Sequence, residues 1–227
     1  MYSKYLITGT SSGLGEGLAI DLINNNESVI GISTSDITNK ELINKTNYKH
    51  LFVDLSDLTA VASIEISEII SPSDKICLII NAAQFTFDDS LSIDSEKAIK
   101  LFNINYHSTV ALIKRLKGNL NRVIFINSIS GLNSQKNQSQ YSASKHALQA
   151  YSEVLAKESI TLEFDVMSIN PGGMDTPLWS KVDINVDRTS FLQIDTVVAT
   201  VKFMSRLPYK TYIKKFSLLP SADVLNN

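Results

Sequence analysis

The 227-residue sequence predicts an α/β protein built on a doubly wound parallel sheet of about seven strands, with helices on both faces. Short apolar runs rich in Val and Ile alternate with longer segments of helical periodicity along the whole chain. A glycine-rich turn joins the first apolar run to the first helical segment. No linker, low-complexity tract or repeat interrupts this alternation, so we expect a single domain over residues 1–227.

Short runs of β-branched and aromatic residues are predicted as strands. They are residues 5–7, 28–33, 49–53, 76–80, 123–126, 164–169 and 212–219. Segments in which apolar residues recur every three or four positions separate them and are predicted as helices. They are residues 14–23, 39–46 and 57–70, two patterns within 94–117, a long helix after 139, and 195–205. Strands that alternate with helices in this way favour a parallel sheet.

The composition excludes several classes of protein. The net charge is -2, so the sequence does not have the excess of basic residues typical of a nucleic-acid-binding protein. No apolar run approaches the roughly 18 residues of a membrane span. Cys77 is the single cysteine, which rules out an internal disulfide, and its apolar neighbours place it in the core. The chain enters its first strand without a signal-peptide pattern, so we expect a cytoplasmic protein. No metal-ligand cluster is recognisable, and the widely spaced histidines are interpreted as structural or surface residues: His50, His107 and His146.

Residues 8–15 form a glycine-rich turn between the first strand and the first helix, with the sequence Thr-Gly-Thr-Ser-Ser-Gly-Leu-Gly. In such a unit the glycines let the backbone approach a pyrophosphate, and the helix N-terminus favours its negative charge. The glycine spacing is Gly-x3-Gly-x-Gly. The alternative is a tight strand-to-helix turn that binds no ligand.

The end of the second strand indicates which dinucleotide such a turn would hold. An acidic residue there would select NAD through the ribose 2′-hydroxyl. The sequence has Ser33, Thr34 and Ser35 instead, and Asp36 comes too late in register. The hydroxyls could hold the 2′-phosphate of NADP, although no Arg or Lys stands at this tip. The sequence therefore favours NADP and leaves NAD open.

Polar and small residues follow the third and fourth strands. The Asp54 carboxylate could accept a hydrogen bond from an adenine amino group, or it could cap a turn. The small residues within 81–84, Asn-Ala-Ala-Gln, permit close approach of the backbone to a ligand. Phe85 and Phe87 could line a substrate mouth or pack beneath their loop. Asn105 is polar within an apolar helix, where a satisfied buried amide is the plain alternative to a functional role.

The stretch from Ser128 to Lys145 carries the chemistry. Ser128 follows the fifth strand, and Tyr141 and Lys145, four residues apart, share one face of the next helix. A free tyrosine, with a pKa of about 10, is a poor acid or base near neutrality, but a nearby ammonium group lowers that pKa. Because a serine hydroxyl can donate to a substrate oxygen, the group suits proton transfer to an alcohol or carbonyl oxygen. The alternative is a polar strand end followed by an ordinary helix with an exposed Tyr and Lys.

The segment 170–177, Asn-Pro-Gly-Gly-Met-Asp-Thr-Pro, follows the sixth strand. Thr176 before Pro177 is typical of a helix N-cap with proline at the first helical position. Residues 178–194 then form a short polar segment that carries Trp179.

Taken together and in this order, these motifs resemble the short-chain dehydrogenase/reductase (SDR) family, in its compact single-domain branch, over nearly the whole chain. The resemblance implies a Rossmann-like fold and an NAD(P)-dependent oxidoreductase that transfers a hydride between a nicotinamide cofactor and a small carbonyl or alcohol substrate. It also implies a set of cofactor-binding residues at the strand ends. The full set, which includes the hydroxyl residues 33–35 at the end of the second strand, is Gly9, Ser11, Ser12, Gly13, Leu14, Gly15, Ser33, Thr34, Ser35, Asp54, Leu55, Asn81, Ala82, Ala83, Tyr141, Lys145, Pro171, Gly172, Met174 and Thr176.

The resemblance further implies a mechanism. In the reducing direction Tyr141 would protonate the carbonyl oxygen, which Ser128 would orient and polarise. Lys145 would lower the Tyr141 pKa and bind the nicotinamide ribose, and Asn105 would hold a water that passes protons to Lys145. Chain position adds candidate substrate-binding residues, which are Gln84, Phe85, Ser130, Met174, Leu178 and Trp179.

The sequence departs from the family pattern at a few positions. Ala83 replaces the usual glycine and would crowd the cofactor slightly, and Asn127 replaces a serine common before the catalytic serine. The cofactor turn lacks the basic residue of many NADP users, so the choice between NADP and NAD stays open. The region after Thr176 is short, which suggests a small or open substrate lid. By resemblance, the helices around 101–117 and 139–158 would pair between subunits in a homodimer or homotetramer.

Two other functions compete with this interpretation. A catalytically silent NAD(P)-binding regulatory or sensor protein would usually lack the tyrosine or the lysine, and this sequence keeps Asn105, Ser128, Tyr141 and Lys145. A nucleotide-sugar epimerase or dehydratase of the related extended type is disfavoured by the glycine spacing and by the small C-terminal region. Neither the substrate nor the physiological direction is named by the sequence.

Overall fold

A seven-stranded parallel sheet forms the centre of the protein, in a computed structural model that describes residues 2–181, 188–213 and 215–221. The strands are β1 (Lys4–Thr8), β2 (Val29–Ser33), β3 (Tyr48–Phe52), β4 (Ile76–Ile80), β5 (Leu120–Ile126), β6 (Asp165–Pro171) and β7 (Phe216–Leu218). Their order is β3-β2-β1-β4-β5-β6-β7, and each neighbouring pair runs parallel. The predicted parallel sheet is confirmed, and the strand order reverses between β1 and β4, where open sheets of this kind bind ligands.

Helices cover both faces of this sheet. They are α1 (Gly13–Asn24), α2 (Lys40–Ile43), α3 (Leu58–Ala62), α4 (Ser95–Phe102), α5 (Ser108–Leu116), α6 (Ser139–Leu162) and α7 (Ile194–Arg206). Helices α3, α5 and α6 contribute to one apolar core, and α1, α2 and α7 contribute to the other. The adjacent residues Leu6 and Ile7 are both fully buried, one in each core, because successive strand side chains point to opposite faces.

Three predicted elements are shorter than the sequence suggested. The helix predicted over 39–46 spans only Lys40–Ile43. The helix predicted over 57–70 ends at Ala62 and is followed only by a 3-10 turn, Ile66–Glu68. The Arg115 side chain donates a hydrogen bond to the Ile64 carbonyl, so this carbonyl does not need a helical partner. The strand predicted over 212–219 pairs only across Phe216–Leu218, because it is an edge strand beside the last three residues of β6; residue 214 lies outside the described residues.

The two helical patterns predicted within 94–117 form one almost continuous helix. A π-helical turn, Asn103–His107, joins α4 to α5. Cys77 is fully buried in β4, as predicted. Within the described ranges, no helix has the length and apolar character that a membrane crossing requires.

Candidate active site

The turn between β1 and α1 adopts a conformation that favours glycine. Gly9 has a φ of +78° and Gly13 a φ of +60°, both in the left-handed region. A Cβ atom on Gly15 would lie 2.1 Å from the Gly9 carbonyl oxygen, so a side chain there would force the turn apart. The Ser12 side chain does not cap α1, which leaves the first amide groups of that helix for an anionic ligand.

A cavity of about 310 Å³, here called the glycine-turn cavity, opens above this turn at the carboxyl ends of the strands. Most of the predicted cofactor-binding residues line it. They are Gly9, Ser11, Ser12, Gly13, Leu14, Ser33, Thr34, Leu55, Asn81, Ala82, Ala83, Tyr141, Lys145, Met174 and Thr176. Five predicted members do not line it: Gly15, Ser35, Asp54, Pro171 and Gly172. Gly15 supports the turn from beneath, by its contact with Gly9.

Hydrogen bonds between the ends of β1 and β4 form the floor of the glycine-turn cavity. The Thr8 hydroxyl oxygen accepts from the backbone N–H groups of Asn81 and Ala82, each at 3.0 Å. The Asn81 amide donates to the Thr8 carbonyl at 2.9 Å and to the Gly9 carbonyl at 3.3 Å. A Cβ on Gly9 would meet the Ala82 Cα at 2.9 Å. The Thr-Gly and Asn-Ala segments therefore hold each other in place.

The far end of the glycine-turn cavity carries hydroxyl groups and no carboxylate among its described lining residues. The buried Ser33 hydroxyl donates to the Ser35 carbonyl at 2.9 Å, while the Ser35 side chain is exposed. His50 lies behind this tip, with its Nε2 atom 3.5 Å from the Ser33 oxygen, and burial lowers the pKa of its imidazole. This position depends on the pairing of β3 with β2, and the interpretation of His50 as a structural or surface residue stays a prediction.

Asp54 adopts the turn-capping alternative. Its Oδ1 atom accepts from the Ser56 backbone N–H at 2.8 Å, and its side chain is exposed. The neighbouring Leu55 lines the glycine-turn cavity instead. A role for Asp54 in binding adenine therefore stays a prediction.

Tyr141 and Lys145 are both buried, which excludes the alternative of an ordinary exposed pair. Tyr141 is 7% exposed and Lys145 is 2% exposed. The Lys145 Nζ atom donates to the Ile126 carbonyl at 3.3 Å and lies 5.9 Å from the centre of the Tyr141 ring. Both side chains come from one face of α6 and meet the carboxyl end of β5, where Ser128 begins a short 3-10 turn.

Burial dominates the protonation of this pair. Desolvation raises the pKa of the Tyr141 phenol, and a hydrogen bond with Ser128 opposes this rise. Desolvation also lowers the pKa of the Lys145 ammonium from 10.5 to about 8. The sequence predicted a lowered tyrosine pKa through its lysine neighbour, whereas the pKa of Tyr141 in this structure is raised because desolvation is the largest contribution.

Asn105 is a satisfied buried amide, as the plain interpretation expected. Its Oδ1 atom accepts from the Gln84 backbone N–H at 2.8 Å, and its Nδ2 atom donates to the Gln84 carbonyl and to the Ser144 hydroxyl, both at 3.0 Å. The π-helical turn places this side chain between the loop after β4 and helix α6. Asn105 therefore fixes that loop against the residue that precedes Lys145.

A second cavity, of about 320 Å³, adjoins the first and is here called the aromatic cavity, after Phe85, Trp179 and Phe191 in its wall. Five of the six predicted substrate-binding residues line it: Phe85, Ser130, Met174, Leu178 and Trp179. The sixth, Gln84, lines the glycine-turn cavity, because Asn105 holds its backbone on that side. Pro171 and Gly172, predicted to contact the cofactor, line the aromatic cavity instead.

The sequence reasoning missed some residues of the aromatic cavity. Gln138 stands one helical turn before Tyr141, so the period of α6 could have identified it. Gln135 precedes that helix, and Phe191 comes from a segment without a periodic pattern, so no sequence signal marked them. Thr176 is followed by a 3-10 helix, Pro177–Lys181, at the predicted helix start; residues 182–187 of the predicted polar segment lie outside the described residues. Across the described part of the chain, no group of three or more His, Cys, Asp or Glu residues converges as a metal site would require.

The two cavities meet at a buried tyrosine, beside a phosphate-binding type of turn, at the carboxyl edge of a parallel sheet. Oxidoreductases that use a dinucleotide cofactor are one class of proteins with this architecture. The family model described as short chain dehydrogenase matches residues 4–187. The chain belongs to the short-chain dehydrogenase/reductase family, whose members are NAD(P)-dependent oxidoreductases acting on CH–OH and carbonyl groups.

Curated relatives agree with this assignment. The 3-oxoacyl-[acyl-carrier-protein] reductase FabG of Buchnera aphidicola is 31% identical over 187 residues, which cover 79% of this chain and 76% of the relative. Dehydrogenase/reductase SDR family member 7B of Xenopus tropicalis is 30% identical over 191 residues, which cover 76% of this chain and 61% of the relative. This chain thus spans less than two thirds of the longer Xenopus protein.

Solved structures share the fold at low sequence identity. A short chain dehydrogenase family protein from Francisella tularensis superposes with a TM-score of 0.83 at 23% identity, covering 99% of this chain and 100% of the other. ElxO, solved with NADP bound, gives a TM-score of 0.82 at 19% identity with full coverage of both chains. A 4-hydroxyisoleucine dehydrogenase complexed with NADH gives 0.81 at 20% identity, covering 96% and 97%. At these identities the likeness concerns the fold alone.

Proposed function

We propose that the protein transfers a hydride between a nicotinamide cofactor and a small carbonyl or alcohol substrate, with Tyr141 as the acid and base. The observation that carries this proposal is that Tyr141 lines both cavities. A hydride passes only where cofactor and substrate are in contact, and this junction is the place where two ligands would meet. The Ser128 hydroxyl interacts with the phenol and lowers its pKa, so a second donor stands beside it.

Tyr141, Ser128 and Lys145 have distinct proposed roles when the reaction runs in the reducing direction. When bound, the nicotinamide cofactor supplies the hydride. Tyr141, with its raised pKa, holds its proton at neutral pH and would donate it to the carbonyl oxygen of the substrate, while Ser128 donates a hydrogen bond to the same oxygen. Lys145, with a pKa of about 8, remains mostly charged at pH 7 and would stabilise the phenolate that is left.

Lys145 and Asn105 have proposed supporting roles. The Lys145 side chain lines the glycine-turn cavity, where it would bind the ribose hydroxyls next to the nicotinamide. Both amide protons of Asn105 are used, by the Gln84 carbonyl and the Ser144 hydroxyl, and its oxygen accepts from the Gln84 N–H. A water that passes protons to Lys145 would therefore be held by backbone groups of the π-helical turn, with the Asn105 side chain fixing their position.

We further propose that NADP is the preferred cofactor and that NAD binds more weakly. Ser33 and Thr34 line the far end of the glycine-turn cavity. The Thr34 hydroxyl can donate to a 2′-phosphate, and the Ser33 hydroxyl would do so by giving up its bond to the Ser35 carbonyl. Within the described lining, no carboxylate stands there to repel that phosphate. The neighbouring Ser35 and the backbone groups of this tip would complete the site.

Cofactor titration tests both the cofactor and its preference. Trp179 is the only tryptophan of the sequence and lies beside the junction of the cavities, so reduced nicotinamide bound there quenches its emission by energy transfer. We expect NADPH to give half-saturation at a concentration at least about tenfold below that of NADH. Tighter binding of NADH would refute the NADP preference, and binding of neither cofactor would refute the proposed function.

Replacement of the phenol tests the chemistry. Tyr141→Phe removes the hydroxyl and keeps the ring, so we expect NADPH binding to persist and reduction of an aldehyde such as benzaldehyde to fall at least about a thousandfold. Tyr151→Phe is the matched control on α6, because Tyr151 lines neither cavity. Full turnover by Tyr141→Phe would refute the proposed mechanism.

Assembly into a homodimer or homotetramer through the helices around 101–117 and 139–158 is part of the same proposal. Val154 on α6 is 50% exposed and would be covered by such an interface. Light scattering of the purified protein at micromolar concentration tests it, and a monomer mass would refute it. A cytoplasmic location stays a prediction from the sequence.

A further inference from the structure

A row of aromatic rings leads away from the proposed reacting phenol. The centres of the Tyr141 and Phe85 rings are 4.9 Å apart, at an interplanar angle of 81°. The Phe85 and Trp179 rings follow at 5.0 Å, and the Trp179 and Phe191 rings at 5.2 Å. These separations lie in the range of favourable aromatic pairs. One wall of the aromatic cavity is therefore a continuous apolar surface that begins at Tyr141.

The surrounding backbone holds these rings in position. The Trp179 indole N–H donates to the Met174 carbonyl at 3.0 Å, so its polar edge is satisfied by the wall. Phe85 is only 6% exposed. A Cβ on Gly173 would lie 2.9 Å from the Phe191 ring, which shows that this ring packs directly on the glycine backbone. A ligand would meet a wall whose side chains lose little further freedom on binding.

The described lining residues of the aromatic cavity are uncharged. Among its described residues there is no Asp, Glu, Lys, Arg or His. Lys145 lines the glycine-turn cavity and not this one. Asp175 lies between the lining residues Met174 and Thr176, and it pairs with Arg188 at 3.2 Å; both side chains are 46% exposed. Against these described residues, a substrate carboxylate or ammonium would lose water without gaining an ionic partner, which carries a large penalty.

The polar part of the lining consists of neutral hydroxyls and amides. The Ser130 hydroxyl donates to the Gln138 Oε1 atom at 3.1 Å. This bond uses one lone pair of the Gln138 oxygen and none of its Nε2 protons, so the Nε2 group can donate to a ligand. Gln135 is a second neutral amide in the same lining. These groups complement an uncharged acceptor, such as an ester, amide or ether oxygen, on the substrate.

We propose that the aromatic cavity selects uncharged carbonyl compounds and alcohols that carry a flat apolar group beside the reacting carbon, and discriminates against carboxylates and ammonium ions. The flat group would lie against the ring row of Phe85, Trp179 and Phe191, with the reacting oxygen at Tyr141 and Ser128. This inference rests on the proposed function, since it assigns the substrate class of the same site.

Direct binding tests the charge selection without turnover. The emission of Trp179, the only tryptophan, reports occupancy of the aromatic cavity. Benzamide and benzoate have nearly the same shape and differ in charge, and titration of each in the presence of NADP compares them. We expect half-saturation by benzamide at a concentration at least about tenfold lower. Benzoate binding as tightly as benzamide, or more tightly, would overturn the charge selection.

Ring truncation tests the location. Phe191→Ala removes the outer ring and keeps the tryptophan reporter, so we expect benzamide binding to weaken about three- to tenfold. Phe203→Ala is the control, since Phe203 is 60% exposed on α7 and lines neither cavity. Far-ultraviolet circular dichroism checks that both variants fold. Unchanged benzamide binding by folded Phe191→Ala would overturn the assignment of the ring row.

Turnover separates this inference from the proposed function. Methyl 4-formylbenzoate and 4-formylbenzoate present the same aldehyde with an uncharged or a charged far end. We expect kcat/KM for the methyl ester to exceed that for the carboxylate at least about tenfold. If neither aldehyde causes oxidation of NADPH or of NADH, the proposed function is refuted. Turnover of both, with the carboxylate equal or better, would refute the substrate class alone.

Discussion

The burial of Lys145 predicts a variant that is more stable and inactive. Lys145 is 2% exposed, and desolvation lowers the pKa of its ammonium from 10.5 to about 8. A difference of this size corresponds to about 3 kcal/mol of unfavourable free energy for the charged form in the folded state. Lys145→Met keeps a long unbranched side chain and removes the charge. It also removes the hydrogen bond to the Ile126 carbonyl, which costs about 1 kcal/mol.

The net expectation is a gain of about 2 kcal/mol in the free energy of unfolding at pH 7, or about 4–8 °C in melting temperature for a chain of this size. The sign changes with pH in a defined way. Between pH 8 and 10.5 the unfolded wild-type chain binds more protons at Lys145 than the folded chain, so wild-type stability rises with pH through this group. The advantage of Lys145→Met is therefore largest below pH 8 and declines as the pH rises towards 10.5.

The assay is thermal unfolding of wild type and Lys145→Met without cofactor, at intervals from pH 7 to pH 10, with NADPH-dependent reduction measured in parallel. Tyr141→Phe is the control, because the raised pKa of Tyr141 keeps its phenol neutral around pH 7 and leaves no buried charge to remove. The difference in melting temperature between Tyr141→Phe and wild type should not decline between pH 7 and 9. A Lys145→Met protein that melts at or below the wild-type temperature at pH 7, or whose advantage is independent of pH, would refute the reasoning.

Three further predictions concern buried contacts. In the structure, the Arg122 guanidinium lies 2.6 Å from the carboxylate of the fully buried Asp165. Arg122→Met removes this cation and should lower the free energy of unfolding, measured in urea, by about 3–5 kcal/mol. The double variant with Asp165→Leu should recover most of this loss, and no recovery would contradict the ion-pair explanation. Gln149→Leu removes the acceptor of the Asn127 amide, at 2.8 Å, and should cost about 1–3 kcal/mol by the same assay; an unchanged midpoint would contradict it. Gly15→Ala should abolish quenching of tryptophan emission by NADPH, because its Cβ would lie 2.1 Å from a backbone oxygen, and wild-type quenching would exclude this clash.

Features that depend on short stretches of sequence were predictable. The alternation of apolar runs with helical patterns identified the parallel sheet, since each pattern repeats within a few residues. The spacing of Tyr141 and Lys145 placed both on one helix face, and Gly9 and Gly13 adopt the positive φ angles that a glycine-rich turn suggests. Most of the predicted cofactor set lines one cavity because the carboxyl ends of parallel strands lie along one edge of the sheet.

Features that depend on contacts between residues far apart in the sequence could not be predicted. The helix predicted over 57–70 is cut short where Arg115, 51 residues from its partner, binds the Ile64 carbonyl. The aromatic cavity brings Phe85, Trp179 and Phe191 together from separate segments.

The sequence by itself determined the sheet, the glycine-rich turn and the identity of the polar residues at the strand ends, because these follow from local periodicity and from the conformational freedom of glycine. Only the tertiary structure decided how those residues ionise and which ligands they can face. Desolvation depends on everything packed around a group. It raises the pKa of Tyr141 and lowers the pKa of Lys145, so both shifts favour the neutral form. The four-residue spacing alone did not reveal this direction.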